Sequence, residues 1–149
     1  MTRAVAFLLL FALAPMADPP VSAPSTNLAD PDSPLPACPD RPNCERTARA
    51  FAVAPDSLFR TAQDALAEMG PVKLEVSPDD QTLHAVYRVA LIFKDDVDVA
   101  VTPADDDPNA AVLHIRSASR VGYSDLGVNA RRVDRFFRTV TDLLDEERT

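Results

Sequence analysis

Two histidines, two cysteines and three glycines are all that the 149 residues contain, and tryptophan is absent. So small a stock of histidine and cysteine narrows the chemistry. Neither histidine stands at ligand spacing from the cysteines, so a zinc site has no ligand set. The cysteines themselves, Cys38 and Cys44 in "CPDRPNC", lack the C-x-x-C spacing of redox-active pairs. There is no calcium-loop pattern with its glycine and twelfth-position glutamate, so Asp95, Asp96 and Asp98 in "FKDDVDV" make a poor hard-cation site. No metal or cofactor is expected. Basic charge is also scarce, 15 residues against 23 acidic ones for a net charge of −8. That balance opposes nonspecific nucleic-acid binding, which needs a basic surface to displace counterions. No internal repeat is apparent.

What is present begins with targeting. Met1-Thr2-Arg3 supplies a short basic start to "AVAFLLLFALAPMA", Ala4 to Ala17, the pattern of a signal peptide. The run is shorter than the roughly 20 residues a spanning helix needs. The cleavage point is poorly defined: Ala12-Leu13-Ala14 has the small-x-small form but Pro15 follows it. An uncleaved N-terminal anchor over residues 1–17 is therefore the alternative, and it would be the one contact with a membrane. Cys38 is too far from the apolar run for a lipoprotein.

Nine of the fourteen prolines lie between Pro15 and Pro42. Residues 18–37 carry too little apolar surface to offset the entropy of ordering, which predicts a disordered tether. In a chain exported to the periplasm or cell envelope, Cys38 and Cys44 then read as a small disulfide loop at the entrance to a single domain, residues 38–149.

From Phe51 onward the composition turns globular. Leu58, Phe59, Ala62, Ala65, Leu66 and Met69 lay one apolar stripe along a helix. Pro55 and Asp56 suit its first turn, and Gly70-Pro71 stops it. "VKLEV", "TLHAVYRVAL", "DDVDVAVT" and "AVLHIRS" alternate apolar and polar residues, the mark of half-buried strands. Val133, Phe136, Phe137, Val140, Leu143 and Leu144 return to helical spacing. The expected fold is α+β, in the order α-β-β-β-β-α: a four-stranded antiparallel meander with two helices packed on one face.

Period two also predicts the other face. With Val97, Val99 and Val101 inward, Asp96 and Asp98 point out; with Leu113 and Ile115 inward, His114 and Arg116 point out; His84 and Arg88 join them. Arg88, Asp96, Asp98 and His114 thus form a possible second polar cluster. Cross-strand ion pairs on a solvated face are its plainest meaning.

The densest polar stretch is "RSASRVGYSDLGVN", Arg116 to Asn129. As structure, it is a long strand-to-helix turn in which Asp125 or Asn129 accepts from the first N–H groups of the helix and Gly122 and Gly127 relax the backbone. As a site, Arg116, Ser117, Ser119, Arg120, Tyr123, Ser124 and Asn129 would cradle an anion at a helix N-terminus. "GYSDLG" is one residue longer than the G-x-S-x-G nucleophile elbow, and no histidine follows His114.

"CPDRPNC", "FKDDVDV" and above all "IRSASRVGYSDLGVNARRV" resemble the small bacterial family known as domain of unknown function 1499. The resemblance covers most of the chain after Ala37. It implies that Cys38, Cys44, Asp96, Arg116, Ser117, Ser119, Arg120, Gly122, Ser124, Asp125, Gly127 and Asn129 occupy family-motif positions, and it brings no assigned reaction. "CERTAR", where such proteins often read C-V-S-S, is a departure. The expected function is that of a noncatalytic exported domain binding a small anionic ligand or a partner segment through the arginine- and serine-rich turn. The alternative is a hydrolase using Ser124, Asp125 and Tyr123.

Overall fold

The computed structural model describes residues 33–105 and 107–149. The signal-peptide stretch and the tether up to residue 32 lie outside the described residues. The elements run β1 (Cys44–Phe51), α1 (Pro55–Glu68), β2 (Lys73–Ser77), β3 (Thr82–Val89), β4 (Phe93–Ala104), β5 (Asp107–Ser119) and α2 (Val128–Glu146). The class is α+β with an antiparallel sheet and two helices, as expected, but the sheet has five strands rather than four, in the order β1-β5-β4-β3-β2. Strands β2 to β5 are a meander; β1 pairs antiparallel with β5 across its free edge.

The fifth strand escaped the alternation rule for a physical reason. In "CERTARAF" the residues facing the helices are Glu45, Thr47, Arg49 and Phe51, and the intervening positions hold Arg46 and small residues. Apolar period two is therefore lost. Arg49 supplies the missing cover by laying its guanidinium 4.1 Å over the Phe137 ring, so a charged residue does the packing of an apolar one.

Helix α1 starts at Pro55, whose fixed φ and missing N–H cost nothing there. It ends before Gly70, which holds the left-handed φ of +72°. Leu58, Phe59, Ala62 and Leu66 are buried from this helix, and Val133, Phe136, Phe137 and Val140 from α2. Both stripes meet Val97, Val99, Leu113 and Ile115, all fully buried on one face of the sheet. Phe137 stands at the centre, stacked 6.5 Å from Phe51 and tilted 5.6 Å from Phe136.

Cys38 and Cys44 are joined in a disulfide that closes a short ring directly before β1. Just upstream of it Leu35 is buried, and its carbonyl accepts from Arg46 Nη1 at 2.9 Å. Among the described residues no helix is long and apolar enough to cross a membrane.

Two stability outcomes are expected. Phe137→Ala removes the ring on which Phe51, Phe136 and Arg49 all pack, and should lower the unfolding free energy by about 3 to 5 kcal/mol, read from the denaturant midpoint. Reducing the disulfide should lower it by about 2 kcal/mol through the entropy of the unfolded chain, with the far-ultraviolet spectrum unchanged.

Candidate functional site

Strand β5 carries the first half of the polar stretch, and its pleat divides that half between two environments. Odd residues turn toward the helices and even residues toward the opposite, open face. The seven residues expected to cradle one anion are therefore not brought together. Ser117 and Ser119 lie under α2; Arg116 and Arg120 lie on the far side of the sheet; Tyr123 and Ser124 are exposed in the loop beyond it.

Under α2 the polar residues form a closed lock. Asn129, 1% exposed, is its hub. Its Oδ1 accepts from Ser117 Oγ at 2.6 Å and from Arg132 Nη1 at 2.8 Å. Its Nδ2 donates to the Asn43 carbonyl, to Ser119 Oγ and to Asp125 Oδ2 at 3.0, 3.0 and 2.7 Å. Arg132, largely covered, continues to the buried Asp95, whose Oδ2 it meets at 2.8 Å, while its guanidinium faces the Tyr87 ring. Burial pushes the Tyr87 phenol up to about 12, and its hydroxyl donates to the Leu66 carbonyl. Asp95 thus faces the core, apart from Asp96 and Asp98, and the three carboxylates of "KDDVD" do not converge.

Asp125 shapes the turn into α2. Its carboxylate accepts from Gly127 N at 2.9 Å and Asn129 N at 2.7 Å, the donors a helix start leaves open. Burial works against ionisation, but these bonds and the Asn129 amide outweigh it and hold the Asp125 carboxyl below its ordinary range. Gly127, with φ +76°, precedes the helix, which begins at Val128. Asn43 Nδ2 reaches the Gly122 carbonyl at 2.7 Å, and Asp125 N bonds the Pro42 carbonyl at 3.3 Å. The disulfide ring and the turn are fastened together.

The open face carries a row of charges in register across all five strands: Glu75, His84, Asp98, Arg116 and Arg46. His84 Nδ1 lies 2.7 Å from Asp98 Oδ1, and Arg116 Nη1 lies 3.3 Å from Asp98 Oδ2. One rung nearer the turn, Arg120 grips Asp96 with Nε and Nη2 at 2.9 and 2.7 Å. That grip holds Asp96 below the usual carboxylate range and raises Arg120 further. The acidic strand and the arginine turn are therefore neighbours. His114 is on this face but buried, 3.0 Å from Thr102 Oγ1, and Arg88 is exposed at the end of β3. The second polar cluster thus divides: Asp96 and Asp98 are paired with arginines, and His114 and Arg88 lie apart from them.

The third environment had no signal in the periodicity. At one end of the sheet the β3–β4 hairpin and the β5–α2 loop expose Leu91, Ile92, Phe93, Val121, Tyr123 and Leu126. Leu91 is 89% and Leu126 86% exposed. Between the two loops runs a cleft of about 370 Å³, with Val89, Phe93, Val121, Leu126 and Val128 among its walls. Single exposed apolar residues are ordinary; a contiguous group is not. Both loops are also strained at their tips. Ala90 has φ +53° and Leu126 φ +54°, left-handed angles that cost a residue with a side chain roughly 1 kcal/mol or more.

A larger cavity, about 620 Å³, opens at the other end of the open face, where Leu35 and Pro36 face His84 and Asp98. Its walls are mostly polar, whereas small-molecule sites are mostly apolar. Among the described residues no three histidine, cysteine, aspartate or glutamate side chains converge as a metal would require. For nucleophilic chemistry Ser124 Oγ has only the Leu126 N–H beside it, at 3.3 Å. Both histidines sit on the open face of the sheet, and the neighbouring carboxylate, Asp125, is taken up by the N–H groups of Gly127 and Asn129 and by the Asn129 amide.

The chain belongs to the DUF1499 family. The family model, described as a protein of unknown function, matches residues 34–140. No curated protein matches the sequence. In this DUF1499 chain Ser117, Ser119, Asp125 and Asn129 are members of one buried network, and Asp96, Arg116 and Arg120 pair on the open face.

Two further outcomes are expected. Arg132→Met leaves the Asp95 carboxylate buried without its cation and should cost about 3 to 5 kcal/mol; Asp95→Leu in the same chain should restore a large part, measured by a double-mutant cycle. Asp125 has a lower pKa folded than unfolded, so its contribution is full above its unfolded value of about 4 and is lost as pH falls through the folded one. Stability should decline on acidification below about pH 4, and Asp125→Asn should flatten that decline from a lower starting value, in denaturant titrations across pH.

Proposed function

We propose that the chain is a noncatalytic, exported domain of the cell envelope that works by docking through the apolar end of its sheet. The observation that carries the reading is the six large apolar side chains displayed on two strained loops around one cleft. Strain and exposed apolar surface both act against stability, and a fold keeps them where they serve contact with something else. Export is supported by the Ala4–Ala17 run and by the Cys38–Cys44 disulfide.

Tyr123 and Ser124 of the expected site belong to this surface, with Ser119 reaching its floor. The arginines do not carry the reading, because Arg116 and Arg120 already face Asp98 and Asp96. An anion there would have to displace carboxylates that the fold holds in register. Hydrolysis finds no support either, since the Asp125 carboxylate beside Ser124 is engaged by Gly127 and Asn129.

A photoreactive phenylalanine analogue at Leu126 tests the reading. Illumination of cells producing the chain should give a crosslinked product, and the same analogue at Asp79, in the β2–β3 turn at the other end of the sheet, should give none. Leu126→Asp should keep the melting temperature within a degree or so, because the side chain is 86% exposed. Absence of any product from Leu126 would sink the docking reading.

A further inference from the structure

We infer that the surface which docks at this apolar end is that of an anionic lipid bilayer. The inference rests on the docking reading above and names its partner. It also departs from the expectation that only the N-terminus would touch a membrane.

The shape of the apolar residues points to lipid. Three of the most exposed, Leu91, Ile92 and Tyr123, stand on the two loops outside the walls of the cleft between them, and Leu126, which lines that cleft, is still 86% exposed. A protein groove recognises a partner by concave apolar walls. Projecting tips need no matching shape, only a medium soft enough to receive them, and the boundary between headgroups and acyl chains is such a medium. Tyrosine, with an apolar body and a polar end, suits that depth.

The charges point to an anionic surface. Arg88 and Lys94 are direct cross-strand partners at the root of the β3–β4 hairpin, and neither forms an ion pair among the described residues. Like charges placed opposite each other repel and weaken a sheet. Arg131, on the wall of the cleft, bonds only the Leu126 carbonyl. Of the acids nearby, Asp95 and Asp96 are paired with Arg132 and Arg120, whereas Asp125 accepts from the N–H groups of Gly127 and Asn129 and keeps its charge, with Glu45 near enough to be held above its ordinary range by burial and by Asp134 and Asp125. In a chain with a net charge of −8, Arg88, Lys94 and Arg131 form a collar of cations at the apolar end, none of them in an ion pair among the described residues. Anionic headgroups attract such a collar and fade from reach within a Debye length.

The absence of tryptophan makes the test direct. The full chain carrying Ile92→Trp has a single indole, placed at an exposed tip that tolerates it. With vesicles of phosphatidylglycerol and phosphatidylcholine its emission should shift to the blue and be quenched by bromine-labelled acyl chains. Phosphatidylcholine alone should give much less of either. A second chain carrying Asp79→Trp should show no shift, which separates insertion of this end from any binding through the apolar N-terminal stretch. Arg88→Glu with Lys94→Glu should weaken the response at residue 92 by at least about tenfold, and raised salt should weaken it in the unaltered chain. The inference is overturned if residue 92 shows no blue shift while the chain floats with the vesicles, or if the shift is equal on both lipids. A protein crosslinked at Leu126 with no shift at residue 92 would remove the bilayer and leave the docking reading standing; no crosslink and no shift would remove both.

Discussion

A buried amide organises the domain. Asn129 sits where β5, α2, the β5–α2 loop and the disulfide ring meet, and each polar atom of its side chain is engaged by one or more of them. In a low dielectric, a fully partnered polar group specifies one arrangement, because any other leaves donors or acceptors stranded. The ion pair of Asp95 and Arg132 extends that constraint from β4 to α2. Hydrophobic contact holds the helices on the sheet; this network decides where along the sheet α2 begins. The β5–α2 loop projects as it does because the backbone on both sides of it is fixed at Ser119 and at Asn129.

The crowding of serine, arginine, aspartate and asparagine between Arg116 and Asn129 then has a plain cause. A strand presents alternate residues to two environments, and here both are polar near the strand's end. The serines must fill the lock, and the arginines must answer the carboxylates that β4 displays on the open side. What looks in one dimension like a single cluster is two, separated by the thickness of a sheet.

Much of the fold was legible in the sequence because most strands keep apolar residues on one side and most of each helix keeps them on one stripe. Strand β1 was hidden because Arg49 and Thr47 occupy positions where apolar residues mark a strand. Whether the acidic strand meets the arginine turn was not legible, because alternation gives the faces and not the partners; the pairing of β4 with β5 brings them together. Asp95 illustrates the limit well. Next to Asp96 and sharing its chemistry, it turns to the opposite face, and its partner Arg132 lies 37 positions away. The apolar end was illegible for another reason. Leu91, Ile92 and Phe93 continue the apolar content of the adjoining strands, and periodicity does not distinguish a residue that packs from one carried past the last rung.

The ring closed by Cys38 and Cys44 contains Pro42 and Asn43, whose carbonyls and side-chain amide hold the backbone of the β5–α2 loop at Ser119, Gly122 and Asp125. Ring and loop therefore share their hydrogen bonds, and linkage between them is reciprocal. Whatever stiffens the loop raises the resistance of the disulfide to reducing agents. Whatever opens the disulfide frees the loop that displays Val121, Tyr123 and Leu126. The redox state of a bond before the first strand is thereby written into the shape of a surface that the chain does not complete until just before its last helix.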